Sequence, residues 1–257
     1  QVQLMTKVGL RWDLEEGTHY FDTQDPSGRN YSIWRNLRPA SIRHEVEQSL
    51  RRLRTDTIDL VQCHWPDPST PIEDSMGTLS DLVGEGKIRA VGVSNFSIEQ
   101  MAQTRAALGA VPLASDQPKY SLIDRKIEAE LLPWCLDEGV GVVVYSPMAR
   151  GLLTGGITMQ RTFPDSDGRA KDPRFHPINR QRVLDALSQV QPIADGHGIS
   201  LANLAVAWVL HQPGISAALV GARTPTQAQE NARAAQVSLS EHELAELHAV
   251  FGDLRLE

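Results

Sequence analysis

Six short apolar runs recur along the chain, and most are followed by a stretch of helical periodicity. That alternation is the strongest constraint on the fold, because strands joined through helices pair in parallel. The runs are the opening QVQLMTK, where Val2, Leu4 and Thr6 alternate with Gln3, Met5 and Lys7, then TIDLVQCH (57–64), KIRAVGVS (87–94), PLASDQPKY (112–120), VGVVVYS (140–146) and SAALVGA (216–222). VGVVVYS reads as a strand buried on both faces.

Helical patterns fill the intervals. Ser41 is expected to cap a helix carrying Ile42, Val46, Leu50 and Leu53 on one stripe. Pro71 is expected to start the next, through Met76, Leu79 and Val83, with Gly86 ending it. Ser97 with Gln100, and Ser240 with Glu243, form capping boxes, the second before Leu244, Leu247 and Phe251. Ile127, Leu131 and Cys135 mark a further stripe. Leu201, Leu204, Ala205, Trp208 and Val209 form a strong one, and Thr226 to Ala235 is short and polar. Two long segments, about 9–38 and 151–180, are rich in Gly, Pro, Asp, Asn and Arg and read as loops on the functional face.

Polar and charged residues gather where strands end: Lys7, His64, Ser94 with Asn95, Gln117, Tyr145 with Ser146, and Gly221 to Arg223. Chemistry at the C-terminal ends of successive strands suits a (β/α)8 barrel. The rival, a doubly wound sheet, would usually carry a G-x-G-x-x-G turn after its first strand, and the chain has none. The 257 residues suffice for one large core or two small domains.

The formal net charge of -7 argues against a protein that coats nucleic acid or an anionic membrane. The basic run RRLR (51–54) reads as the wet face of a helix. Two cysteines are too few for a disulfide framework and fit a reducing compartment, the cytoplasm. No stretch approaches the roughly 20 apolar residues of a membrane span, and the chain reads as having no signal peptide.

Four segments carry the chemistry. In HWPDP (64–68), His64 at a strand end can donate a hydrogen bond to a carbonyl or relay a proton, or serve as a structural histidine. In GVSNF (92–96), Ser94 and Asn95 can pair with an amide such as that of nicotinamide, or cap a helix. In YSPMARGLLTGG (145–156), Tyr145 can stack on a flat ring and the following loop can close over a pyrophosphate; the alternative is a core tyrosine and an ordinary loop. In GARTPTQAQEN (221–231), backbone N–H groups and Arg223 can hold a phosphate, with Gln227, Glu230 and Asn231 on one helix face for ribose and adenine; the alternative is a solvated polar helix. Cys63 with His64 makes no metal site, since adjacent strand residues face opposite sides and no other ligands converge.

These segments in this order resemble the aldo-keto reductase superfamily. KVGLRWD, EVEQSLRRLRTDTIDLVQCHWPDP, GKIRAVGVSNF, YSPMARGLLTGG and LVGARTPTQAQEN all match its pattern, and the chain is most similar to the bacterial general-stress-type reductases and, more distantly, to potassium-channel β-subunits. The resemblance implies a single (β/α)8 barrel domain over 1–257 and reduction of a small-molecule aldehyde or ketone by NADPH. Lys7 and His64 match catalytic residues. Ser94, Asn95 and Gln117 match those holding the carboxamide, and Tyr145 the one stacking on nicotinamide. Ser146, Leu152 and Thr154 fall in the pyrophosphate segment. Gly221, Arg223, Gln227, Glu230 and Asn231 match the adenosine-phosphate segment, where the arginine favours NADPH. The alternative is a non-catalytic NADPH-binding module like the channel subunits.

The match also departs from the pattern. The family's proton donor is a tyrosine whose pKa a lysine and an aspartate tune. That tyrosine and aspartate end its second strand, ahead of the segment matching KVGLRWD. FDT within YFDTQDPSGRNY (20–31) imitates the aspartate motif, but it follows Lys7, and Ser27 stands at the expected tyrosine position; the segment reads as a loop or small hairpin. The resemblance therefore implies strands 3 to 8 of the barrel, an N-terminally incomplete domain, and little turnover by these residues alone. It also implies open sheet edges that call for the preceding segment or a homo-oligomer. Substrate choice is expected from the two long loops, with Trp12, Trp34 and above all Trp65 as candidate pocket walls.

Overall fold

The computed structural model describes residues 2–25, 27–252 and 254–256. Its contacts divide it into two compact units, 1–118 with 133–142, and 119–132 with 143–257. The first holds β1 (Met5–Val8), β2 (Leu10–Arg11), β3 (Thr18–Gln24), β4 (Asn30–Arg35), α1 (Pro39–Leu53), β5 (Ile58–Cys63), α2 (Ile72–Gly84), β6 (Ile88–Val93), α3 (Ile98–Leu108) and β7 (Leu113–Asp116). The chain crosses between units in α4 (Leu131–Asp137) and again in β8 (Gly141–Tyr145). The second unit adds α5 (Pro177–Gly196), α6 (Leu201–Leu210), β9 (Ile215–Leu219), α7 (Pro225–Arg233) and α8 (Glu241–Gly252).

Each of the six apolar runs overlaps a strand, although in the first the strand begins only at Met5 and in the last it begins one residue early, at Ile215. In the first unit β1 pairs in parallel with β5, β5 with β6, β6 with β7, and β7 with the first residues of β8. In the second unit the rest of β8 has β9 as its neighbour. Helices cover the strands of the first unit with Ile42 and Val46 from α1, Met76, Leu79 and Leu82 from α2, and Met101 from α3, all fully buried. Each such side chain contributes roughly 1.5–3 kcal/mol of transfer free energy. The core of the second unit is built around Trp208 of α6, Val183 and Val190 of α5 and Leu247 of α8, again fully buried. No single described helix is long and apolar enough to cross a membrane.

Both capping boxes form. Ser97 Oγ accepts from the Gln100 N–H at 3.1 Å while Gln100 Oε1 accepts from the Ser97 N–H at 3.0 Å. Ser240 and Glu243 exchange the same pair of bonds. Several other local expectations are corrected. Helix α1 starts at Pro39, whose fixed φ suits the first helical position, so Ser41 lies inside the helix and donates to Glu45 instead of capping. Leu53 is 45% exposed because the helix ends there against Arg54 in the left-handed region. Helix α2 stops at Gly84, and Gly86 takes its positive φ outside it. Ile127 sits in a short 3-10 turn, and α4 begins only at Leu131.

The two long segments are more structured than expected. Residues 9–38 hold an antiparallel sheet in the order β2-β4-β3; FDT lies in β3, which pairs with β4 as the small hairpin that the sequence allowed, and β2 extends it. Residues 151–180 contain 3-10 turns and the start of α5, the longest described helix at 20 residues, which the sequence reading does not anticipate. Its signal is Val183, Leu187, Val190 and Ala194, spaced by four, three and four behind Pro177.

Register places the polar residues. Lys7 pairs with Gln62, Gln62 with Gly92, and Gly92 with Ser115, forming one row across four strands. Side chains two apart on a strand share a face, so His64 follows Gln62 on this side. A Cβ on Gly92 would lie 2.5 Å from Ser115 Oγ and 2.9 Å from the Ser115 carbonyl oxygen. The bare Gly92 thus lets the Gln62 amide reach over β6 to Ser115 Oγ at 3.1 Å. Gly92→Ala is expected to cost about 2 kcal/mol through overpacking. Thermal unfolding should show a fall of roughly 4–8 °C for a chain of this size; an unchanged midpoint would remove Gly92 from this role.

Candidate active site

Lys7 and His64 line one cavity of about 420 Å³ in the first unit. The His64 N–H donates to the Val8 carbonyl at 2.9 Å, which fixes the end of β5 against the end of β1. Burial lowers the Lys7 pKa. Burial, and after it the Lys7 charge, push His64 down to about 4. The imidazole is therefore neutral at physiological pH: one ring nitrogen donates and the other accepts.

Ser94, Asn95 and Gln117 are brought together at the ends of β6 and β7. Asn95 Nδ2 donates to Ser94 Oγ at 2.9 Å, and Ser94 Oγ donates to the Gln117 carbonyl at 2.7 Å. Asn95 Nδ2 also donates to the His64 carbonyl at 3.2 Å. The left-handed backbone at Asn95, φ 61, is one that asparagine tolerates. Gln117 Nε2 donates to Gln62 Oε1 at 2.7 Å, so the carboxamide candidates are an extension of the Gln62–Ser115 row.

The walls of the cavity come from β2, β3, β4 and α1. Trp12 and Phe21 line it, and both are exposed. Trp65, the favoured tryptophan, instead packs on Tyr20 at 5.5 Å between ring centroids, and Trp34 meets His19 edge-on. Asp67 of the HWPDP turn ties these pieces down. Its carboxylate accepts from Thr18 Oγ1, the Leu37 N–H, the Ser69 N–H and Thr70 Oγ1. Burial alone would raise its pKa, but these bonds hold it low. Glu45 lines the same cavity and accepts from the Gly9 N–H at 3.0 Å, and burial pushes it up to about 7.

The second unit holds a cavity of about 650 Å³ lined by Ser146, Arg150, Gly151, Thr154, Gly221, Arg223, Gln227 and Asn231, among others. Among the described residues its charged lining side chains are the two arginines alone. Helix α7 braces the adjoining loop: Thr224 Oγ1 caps the Gln227 N–H, Gln227 Oε1 accepts from the Arg223 N–H at 2.7 Å, and Asn231 Nδ2 donates to the Gly221 carbonyl at 3.1 Å. Thr154 Oγ1 donates to the Gly151 carbonyl at 2.7 Å and so closes the preceding loop. Ser146 adopts a left-handed φ of 57. Three matched residues are not in the lining. The Leu152 side chain is fully buried, leaving only its backbone; Glu230 pairs with Arg233; and Tyr145, half-buried, bridges to Lys119. Among the described residues no three metal-ligating side chains converge.

Three residues of these cavities, Glu45, Phe21 and Arg150, and Gln62 of the buried row beside the first, escape sequence reasoning. Gln62 left a signal, a buried-strand amide two residues before His64. Glu45 and Phe21 left none, because their roles exist only once α1 and β3 are placed.

The family model for the aldo/keto reductase family matches residues 1–251. The chain is 42% identical over 228 residues to the aldo-keto reductase YhdN of Bacillus subtilis (strain 168), covering 88% of this chain and 63% of that protein. It is 39% identical over 244 residues to the NADH-specific methylglyoxal reductase of Escherichia coli (strain K12), covering 94% and 72%. A solved structure, the glycerol dehydrogenase AKR11B4 from Gluconobacter oxydans, superposes with a TM-score of 0.87 at 40% identity, covering 98% of this chain and 72% of that one. The chain thus spans a little under two thirds of the first relative's length and somewhat more of the others. With its α/β parallel sheet, its strand-end polar row and this match over nearly its whole length, the chain belongs to the aldo/keto reductase family.

Proposed function

We propose that the protein reduces aldehydes or ketones to alcohols with a nicotinamide cofactor, NADPH in preference to NADH. The observation that carries this reading is the sharing of one strand-end face by Lys7, neutral His64 and the Ser94–Gln117 bonds. The residues present fit such a cofactor. In the first unit the Ser94, Asn95 and Gln117 groups can pair with a carboxamide; in the second unit, taken by itself, Tyr145 can stack on a flat ring and a cavity lined by Arg150 and Arg223, with no carboxylate among its described lining residues, suits phosphate. The E. coli relative is described as NADH-specific; the preference for NADPH here rests on Arg223.

When bound, the cofactor supplies the hydride. The protein's task is to meet the negative charge that develops on the carbonyl oxygen. His64, neutral, donates an N–H hydrogen bond to it, and the Lys7 ammonium stabilises it electrostatically. Burial makes that ammonium a stronger acid than an exposed lysine. Among the described groups lining this cavity, Glu45, pushed up to about 7 by burial, can release a proton near neutral pH. Trp12 and Phe21 favour apolar or aromatic carbonyls.

The test is NADPH oxidation followed at 340 nm with 4-nitrobenzaldehyde. Oxidation is expected, cut at least about tenfold by Lys7→Met, in line with loss of one charge-stabilising donor. A rate indifferent to that change, or no consumption across an aldehyde panel, would overturn the reading. Proton NMR should place the His64 imidazole midpoint near 4. Lys7→Met should raise it, yet leave it below 6.5, because burial is the larger cause. A folded pKa depressed in a base means the unfolded chain binds the proton first. His64 should therefore add stability above pH 6.5 that is lost as pH falls toward 4, and His64→Gln should flatten that slope.

A further inference from the structure

Arg150 lies inside the matching segment YSPMARGLLTGG but has no role of its own assigned there; among the described residues it and Arg223 are the only charged side chains lining the second unit's cavity. Its guanidinium meets Asp172 at 3.5 Å, on a side chain that is 40% exposed. It lies so close over Gly168 that a Cβ there would sit 2.9 Å from Arg150 Nη2.

Asp172 does not depend on Arg150. Arg174 grips its carboxylate with two bonds, at 2.9 and 2.5 Å, and the Arg174 N–H donates to it at 3.1 Å. Arg174 is held in turn by Asp124 at 2.6 Å, and Asp124 by Lys119 at 2.8 Å. The ladder of alternating charge is complete at Asp172, and Arg150 is a surplus cation at its end. Withdrawing it leaves no carboxylate unpaired, so a competing anion meets little resistance.

The backbone points the same way. Ala149 and Arg150 hold left-handed φ values of 46 and 58, a conformation that non-glycine residues adopt at a cost and that gathers at ligand clamps. An ordinary surface turn would relax or carry glycine there.

We propose that Arg150 is a second phosphate-binding residue, held in reserve by Asp172, and that it takes the pyrophosphate of a dinucleotide while Arg223 takes the adenosine 2′-phosphate. This rests on the reading of the second unit's cavity as the nucleotide site. The ion pair with Asp172 competes with ligand, so the two partners have opposite effects on affinity.

Calorimetric titration of the whole chain with NADP+ and with 2′-AMP, which lacks the pyrophosphate, separates the roles. Arg150→Ala is expected to weaken NADP+ about tenfold, the worth of one charge-assisted bond, and leave 2′-AMP within about twofold. Arg223→Ala should weaken both ligands. Asp172→Asn, which frees Arg150, should tighten NADP+ about two- to threefold, consistent with a weak exposed pair. Arg150→Lys should recover part of the loss. The proposal falls if Arg150→Ala leaves NADP+ unchanged or weakens both ligands alike. It also falls if Asp172→Asn weakens NADP+ while keeping the wild-type melting temperature. Binding of 2′-AMP that depends on Arg223, with no effect of Arg150→Ala on NADP+, would sink this inference alone. Failure of the unaltered chain to bind either ligand would sink the nucleotide reading beneath it.

Discussion

A missing Cβ at Gly92 allows a buried amide to cross a strand, and much of the first unit's chemistry follows from that crossing. Gln62 is 1% exposed and Ser115 3%, so neither can turn to water for a partner. Gln62 Nε2 donates to Ser115 Oγ, Gln117 Nε2 donates to Gln62 Oε1, and Ser94 Oγ donates to the Gln117 carbonyl. An unpaired buried amide costs on the order of 1–3 kcal/mol, so loss of one link strands the next. A slip of one residue in any of these strands would invert the faces and break the row. The contacts that specify strand register are therefore also the contacts that set Ser94, Asn95 and Gln117 in place.

The electrostatics of the Lys7 cavity follow from burial more than from pairing. Arg11 and Asp13 neutralise one another through two short bonds. Glu45 is held near half-ionisation at neutral pH because burial pushes it up to about 7. His64 contributes no charge there. Lys7 is left as a half-buried cation of the lining, where negative charge on a bound group would meet it. A desolvated cation interacts more strongly with such charge than an exposed one does. Below pH 7 Glu45 is mostly neutral and the bias toward positive potential grows, which links the helix α1 packing to the site's acidity.

Local, self-contained signals were legible in the sequence and relational ones were not. The capping boxes at Ser97 and Ser240 form because all their partners lie within three residues. The six strands were legible because their apolar runs are short and bounded. The Ser41 cap was not realised because Pro39 starts the helix earlier, so one local signal overrode another. The β3–β4 hairpin was legible only as one of two readings, because THYFDTQ is exposed or half-exposed throughout and has no apolar face to read. His64, Ser94, Asn95 and Gln117 could be picked out as polar residues at strand ends. Glu45 could not, since its importance arises only when α1 brings it against the Gly9 N–H.

The long segment 151–180 poses an entropic problem, because ordering so many residues with little regular structure costs roughly 1–2 kcal/mol of backbone freedom each. One side chain meets much of it. Arg180, 6% exposed, donates through Nη1 to the carbonyls of Thr158, Met159 and Arg161 and through Nη2 to that of Phe175. A guanidinium can collect so many acceptors because its donors fan out in a rigid plane and it keeps its charge at any relevant pH. Phe163 adds an apolar anchor, edge-on to Phe175 with Arg169 stacked 4.5 Å from its ring centroid. With its middle fixed at Arg180 and its later part fixed by the Asp124–Arg174–Asp172 ladder, the segment can keep Ala149 and Arg150 in a conformation they would not choose alone. The strain at the cavity edge is thus sustained by hydrogen bonds some twenty to thirty residues downstream, which explains why a sequence motif around Arg150 by itself carries no sign of it.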